Sequence, residues 1–216
     1  DEPNPGRPGG PKAKVLPLPA WARRPISQRF LKAFVDDTAD YFYTPGLRER
    51  IQQRLRDELS AAGRRPITLV AHSHGSIVAH EVLQSLRTSE TKLASLVTIG
   101  SPLGIQELQD LLVPATLEVP RIVPRWNNFS DVLDPVALDK SLAGDFAPSQ
   151  LGTRIQDEVI VNSNTRKLWG FNPRSAVGYL AHPSVRRVVN DAMRLDSMAR
   201  SASMPFSSAA PTAASP

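Results

Sequence analysis

A serine set between two histidines, in Ala71-His-Ser-His-Gly75, stands where a short apolar run gives way to a helical pattern. Ile67-Thr-Leu-Val-Ala71 has the composition of a buried parallel strand, and Ser76 to Leu86 reads as a helix. A serine on so sharp a strand-to-helix turn is strained, with its hydroxyl lifted above the sheet. Small residues are expected two positions to either side, where strand and helix pass closely, and Ala71 and Gly75 meet that need. The chemistry this suggests is nucleophilic acyl transfer. The helix N-terminus sets amides and partial positive charge beside Ser73, and the His74 amide is placed to donate to a developing oxyanion. A free hydroxyl is a poor nucleophile near neutral pH, so Ser73 needs a base.

The chain has four histidines, His72, His74, His80 and His182. The first two flank Ser73 too tightly to fold back onto its Oγ, and His80 lies two helical turns further on. His182, in Gly178-Tyr-Leu-Ala-His-Pro-Ser before the final helix, is the expected base, where a Ser–acid–His order puts it. The acid should lie between them, after a strand. Asp131 and Asp134 both qualify. Asp134 is preferred because Asp-Pro-Val-Ala fixes a tight turn behind the carboxylate, and Asp131 is the reserve.

Blander readings stand beside these. Ser73 could be a plain helix N-cap. His72 and His74 could be metal ligands, but the carboxylates such sites need do not follow them, so no metal or cofactor is expected. Asp134 could cap its own turn before Pro135, and His182 could be a surface loop residue. Ser101 could face the site or serve strand-end turn chemistry, while Trp126, Trp169 and Phe171 could line an acyl pocket or fill the core.

The positioning elements alternate in type. A helix is predicted from Ser27 to about Tyr41, with Thr44 as the N-cap of a second one. In that second helix Leu47, Ile51, Leu55 and Leu59 form an apolar stripe read as core packing, and Gly63 stops it. After the Ser73 turn come a strand at Leu93–Ile99, a helix at Gln106–Leu112 and a strand at Arg121–Trp126 bent by Pro124. A brief strand at Val159–Val161 and a helix at Ser184–Met198 complete the pattern. Such alternation implies an α/β fold, a mostly parallel sheet with helices on both faces.

The chain of 216 residues suits one domain, expected over residues 25–196. A proline-rich extended segment, 1–24, precedes it, and a Ser/Ala/Pro tail, 197–216, cannot bury enough apolar surface to order itself. The absence of cysteine excludes disulfides and thiol catalysis. The net charge of +5 comes from scattered arginines without interleaved aromatics, so nucleic-acid binding is not expected. No apolar run is long enough for a membrane span and no signal-peptide core is visible, which gives a cytoplasmic expectation.

The stretches AHSHGSIVAHEVL, LVTIGSPLG, RWNNFSDVLDPVA and GYLAHP resemble a bacterial α/β-hydrolase family of lipase/esterase character, over about Asp36 to Val189. The resemblance implies Ser73 as nucleophile, Asp134 as acid and His182 as base. The expected function is then a serine hydrolase cleaving a carboxylic ester or thioester, small or lipid-like, through an acyl-enzyme. A peptidase or acyltransferase with the same triad fits as well, as does a non-catalytic interaction domain of hydrolase-like fold. The family's early strand ending in His-Gly, which supplies a second oxyanion donor, has no counterpart here, since Lys14-Val-Leu-Pro-Leu-Pro is broken by proline. That departure implies an N-terminally truncated hydrolase or a differently built oxyanion hole.

Overall fold

Four strands, β1 (Ile67–His72), β2 (Leu93–Ile99), β3 (Trp126–Asp131) and β4 (Ile155–Ile160), form one sheet in the order β1-β2-β3-β4. Every neighbouring pair is parallel. A computed structural model describes residues 28–63, 65–137, 140–164, 172 and 174–203. The chain divides into two compact units, Asp1–Asp37 and Thr38–Pro216, the boundary falling inside helix α1 (Gln28–Tyr43). The proline-rich segment, Trp169, Phe171 and residues 204–216 lie outside the described residues.

Both sheet faces are covered, as uninterrupted parallel strands require. On one face Val97, Ile99, Phe129 and Ile160 pack with Tyr179 of α5 (Ala176–Leu180) and Val185 of α6 (Pro183–Ser203). On the other, Thr98, Trp126 and Asn128 are joined side chain to side chain, and Trp126 meets α3 (Gly75–Ser85). The Trp126 indole donates to Thr98 Oγ1 at 2.9 Å, Thr98 donates to Asn128 Oδ1 at 2.8 Å, and the Trp126 ring faces His80 and Phe146. Helix α3 is buried on every residue from Ser76 to Leu83, between the sheet and α2 (Leu47–Ala61).

Several elements differ from the sequence expectation. The third strand starts at Trp126, where the expected one ended. Its polar Asn128 and Ser130 are buried, Asn128 with side-chain partners, which disguised the strand as a loop. The fourth runs over Ile155–Ile160, earlier than the Val159–Val161 run suggested, and the helix expected at Gln106–Leu112 is the single turn α4 (Gln106–Gln109). Thr44 does not cap α2. Gly46 does, at φ +70°, while the Thr44 hydroxyl turns back to Asp40. Gly63, at φ +60°, does provide the left-handed stop.

The leucine stripe of α2 is only partly core. Leu59 is buried, but Ile51 is 37% exposed, because the helix turns Arg48 and Gln52 inward. Both reach the buried Glu81 of α3, which also accepts from Tyr41 Oη at 2.6 Å and from the Val113 amide at 3.0 Å. The final helix runs to Ser203, beyond the Met198 end and into the segment expected to be tail. Among the described residues no helix is long and apolar enough to cross a membrane.

Candidate functional site

Ser73 follows β1 directly and has φ of +51°, the one non-glycine residue with positive φ among those described. An L-residue there costs about 1–2 kcal/mol relative to its relaxed conformations, so the surroundings must hold it. Its amide donates to Ile99 O at the end of β2 (3.0 Å), and its carbonyl accepts from the Ser76 amide (2.9 Å) and Ser76 Oγ (2.7 Å). Ser76 Oγ also lies 2.8 Å from Ser101 Oγ, which in turn accepts from the Leu103 amide. Ser101 therefore buttresses the turn from beneath. His74 takes the N-cap position of α3. Space does not explain Gly75, since a Cβ there would meet nothing within 4 Å.

What meets the Ser73 hydroxyl is an arginine. Arg174 Nη2 donates to Ser73 Oγ at 2.5 Å, and Arg174 Nε lies 3.5 Å from Asp134 Oδ1. Residue 174 is positioned by two bonds of its own and one of its neighbour. The Asn172 side chain accepts from its amide (3.1 Å), its carbonyl lies 2.8 Å from His72 Nε2, and the next residue, Ser175, caps α5 by accepting from the Gly178 amide.

Asp134 lies three residues past the tip of β3, fully inside the protein. Oδ1 accepts from the Val136 amide at 3.0 Å and Oδ2 from Tyr179 Oη at 3.0 Å. Burial pushes the Asp134 carboxyl above its usual range, opposed by the Val136 amide, Arg174 and Tyr179. Burial also pulls Arg174 down, opposed by Asp134. Gly100 makes room for this carboxylate, because a Cβ there would come within 2.7 Å of Asp134 Oδ2 and 3.2 Å of the Tyr179 ring. Asp131, the reserve acid, is committed elsewhere. Its Oδ1 accepts from the Leu133 amide (2.7 Å) and its Oδ2 from the Asn162 amide (2.6 Å), tying the loops after β3 and β4 together.

The histidines take four different places. His182, half-buried, precedes α6, and its Nδ1 accepts from the Ser184 amide at 3.3 Å. An accepting Nδ1 places the ring proton on Nε2, the opposite tautomer to one that donates from Nδ1 to an acid. No hydrogen bond joins His182 to Ser73 or Asp134 among the described residues. The structure thus gathers Ser73 and Asp134 around one guanidinium and leaves His182 in a helix-capping contact. His72 is held on Arg174 O, and burial pulls its imidazole below the usual range. His74 packs edge-on against Tyr41 with ring centroids 4.9 Å apart. His80 sits in the core with Nε2 on Glu118 O at 3.3 Å, and burial lowers it to about 4.

Sequence reasoning missed Arg174 and Tyr179. The signal was slight: Arg174 lies in Asn-Pro-Arg-Ser, a polar turn just before the GYLAHP segment, and Tyr179 inside it. No protein-family model, curated protein or solved structure matches the chain.

Chemically, the site offers a strained hydroxyl, a helix N-terminus and a buried ion pair. A guanidinium stays protonated at neutral pH and has no acceptor. It therefore donates to Ser73 Oγ and occupies a lone pair, but it cannot remove the hydroxyl proton.

Proposed function

We propose that this chain is a non-catalytic α/β-hydrolase-like domain, a binding or interaction module built on a serine-hydrolase framework. The observation that carries this reading is the Arg174 guanidinium on Ser73 Oγ at 2.5 Å. The hydroxyl faces a fixed cation where acyl transfer requires a proton acceptor. Hydrolysis of a carboxylic ester or thioester by Ser73, Asp134 and His182 is the second reading, favoured by the left-handed conformation of Ser73. That reading requires His182 to give up the Ser184 amide and reach both partners.

A fluorophosphonate probe and an activated aryl ester separate the two. Wild type and Ser73→Ala should be equally unlabelled and should show the same background ester turnover. Label or turnover in the wild type that disappears in Ser73→Ala would establish the hydrolase reading instead.

A further inference from the structure

We propose that Arg174 stands in the general-base position of a serine–base–carboxylate relay, and that this one side chain keeps Ser73 unreactive; an imidazole at position 174 would complete the relay. The inference rests on the non-catalytic reading above and goes further, by naming the residue responsible.

Three observations support it. First, among the described residues Arg174 spans the two end members, with Nη2 on Ser73 Oγ at 2.5 Å and Nε 3.5 Å from Asp134 Oδ1. In a working relay an imidazole makes both contacts, with Nε2 toward the serine and Nδ1–H toward the acid.

Second, Asp134 is prepared as such an acid. Burying a carboxylate is costly unless its oxygens are satisfied. Here the Val136 amide and Tyr179 Oη each hold one oxygen, and a glycine at position 100 leaves the space. Holding an arginine over a serine does not itself require so elaborate a seat.

Third, the main chain of residue 174 is fixed beside the Ser73 turn, because its carbonyl lies 2.8 Å from Nε2 of His72, the residue preceding Ser73. A side chain at position 174 therefore starts from a backbone anchored on the residue before the serine.

In Arg174→His the proton of Ser73 Oγ passes to the imidazole as Oγ bonds to the electrophile. With a fluorophosphonate, the P–F bond breaks, fluoride leaves, and the imidazolium later releases its proton to water. With an ester, the same proton goes to the departing alkoxide. Water then repeats the sequence on the acyl-enzyme, giving the acid and restoring Ser73.

The test compares wild type, Arg174→His, Arg174→Gln and the double variants Arg174→His/Ser73→Ala and Arg174→His/Asp134→Asn. Each is checked for a native-like far-UV spectrum and a cooperative thermal transition. General-base assistance contributes about 100-fold or more, so Arg174→His should label at least about 100-fold faster than Arg174→Gln. Both double variants should lose the gain. Arg174→Gly with imidazole added to the buffer is the parallel arm, and labelling there should rise with imidazole concentration. Folded Arg174→His no faster than Arg174→Gln, together with no response of Arg174→Gly to imidazole, overturns the proposal. A gain that survives loss of Ser73 overturns it too. Ser73-dependent label in the unsubstituted protein is a separate failure, that of the non-catalytic reading, and shows itself before any substitution at 174.

Discussion

At the residue scale, the conformation of Ser73 and the hydroxyl it carries are separable. Ser73→Gly and Ser73→Ala both delete the contact from Arg174, but only glycine relaxes at φ +51°. Ser73→Gly should be more stable than Ser73→Ala by about 1 kcal/mol, the cost of a Cβ in the left-handed region less the entropy glycine loses on folding. Urea unfolding of the pair measures it. Equal midpoints, or a more stable alanine, would show that the turn is not strained. Ala71-His-Ser-His-Gly75 announces the turn because strand, turn and helix are local. The partner of the hydroxyl is not local, since Arg174 lies 101 residues away along the chain.

At the element scale, Gly100 at the tip of β2 lies against Asp134, which follows β3. Alanine there meets two penalties, a positive φ of +56° and a Cβ 2.7 Å from Asp134 Oδ2. Gly100→Ala should cost about 2–4 kcal/mol, from left-handed strain and from displacing the Asp134–Tyr179 pair. Chemical denaturation checks the size. A change below about 0.5 kcal/mol, the scale of an ordinary surface substitution, would mean that Asp134 is not held against this strand. The strand pattern also explains which elements were legible. Leu93–Ile99 is mostly apolar, with Ser95 and Thr98 as its two polar residues, and is found as a strand over those same bounds. Trp126–Asp131 carries Asn128 and Ser130 into the interior, and periodicity alone could not distinguish a strand with buried polar side chains from a loop.

At the scale of the whole molecule, the buried imidazole of His80 links stability to pH. In the unfolded chain it takes a proton below 6.5, but in the folded protein only below about 4. Between those values the unfolded state binds the extra proton. Stability from this group is therefore complete above about pH 6.5, falls as pH drops toward 4, and changes no further below that. The linked loss is about 3 kcal/mol. Comparing urea midpoints at pH 7 and pH 4 isolates it: His80→Gln should lose about 3 kcal/mol less than wild type over that interval. Equal losses would mean that His80 is not held neutral in the core. The inward turn of α2 belongs to this scale as well. Its leucine spacing predicted a core stripe, but the buried Glu81 carboxylate required Arg48 and Gln52 on that side, which left Ile51 37% exposed.

The sequence by itself determined the alternation of strands and helices, the strand–turn–helix around Ser73 and the two carboxylates at and just past the end of the third strand. Each of these depends on short-range pattern, that is, on spacing, turn chemistry and β-branched runs. Only the tertiary structure decided what faces the serine. Chain order placed His182 after the acid, as a base would be, but order carries no distance. Capping α6 took His182 Nδ1, while the Asn172, His72 and Ser175 contacts brought Arg174 between Ser73 and Asp134. A proton acceptor and a fixed cation give that site opposite chemistries, and the folded chain supplied the cation.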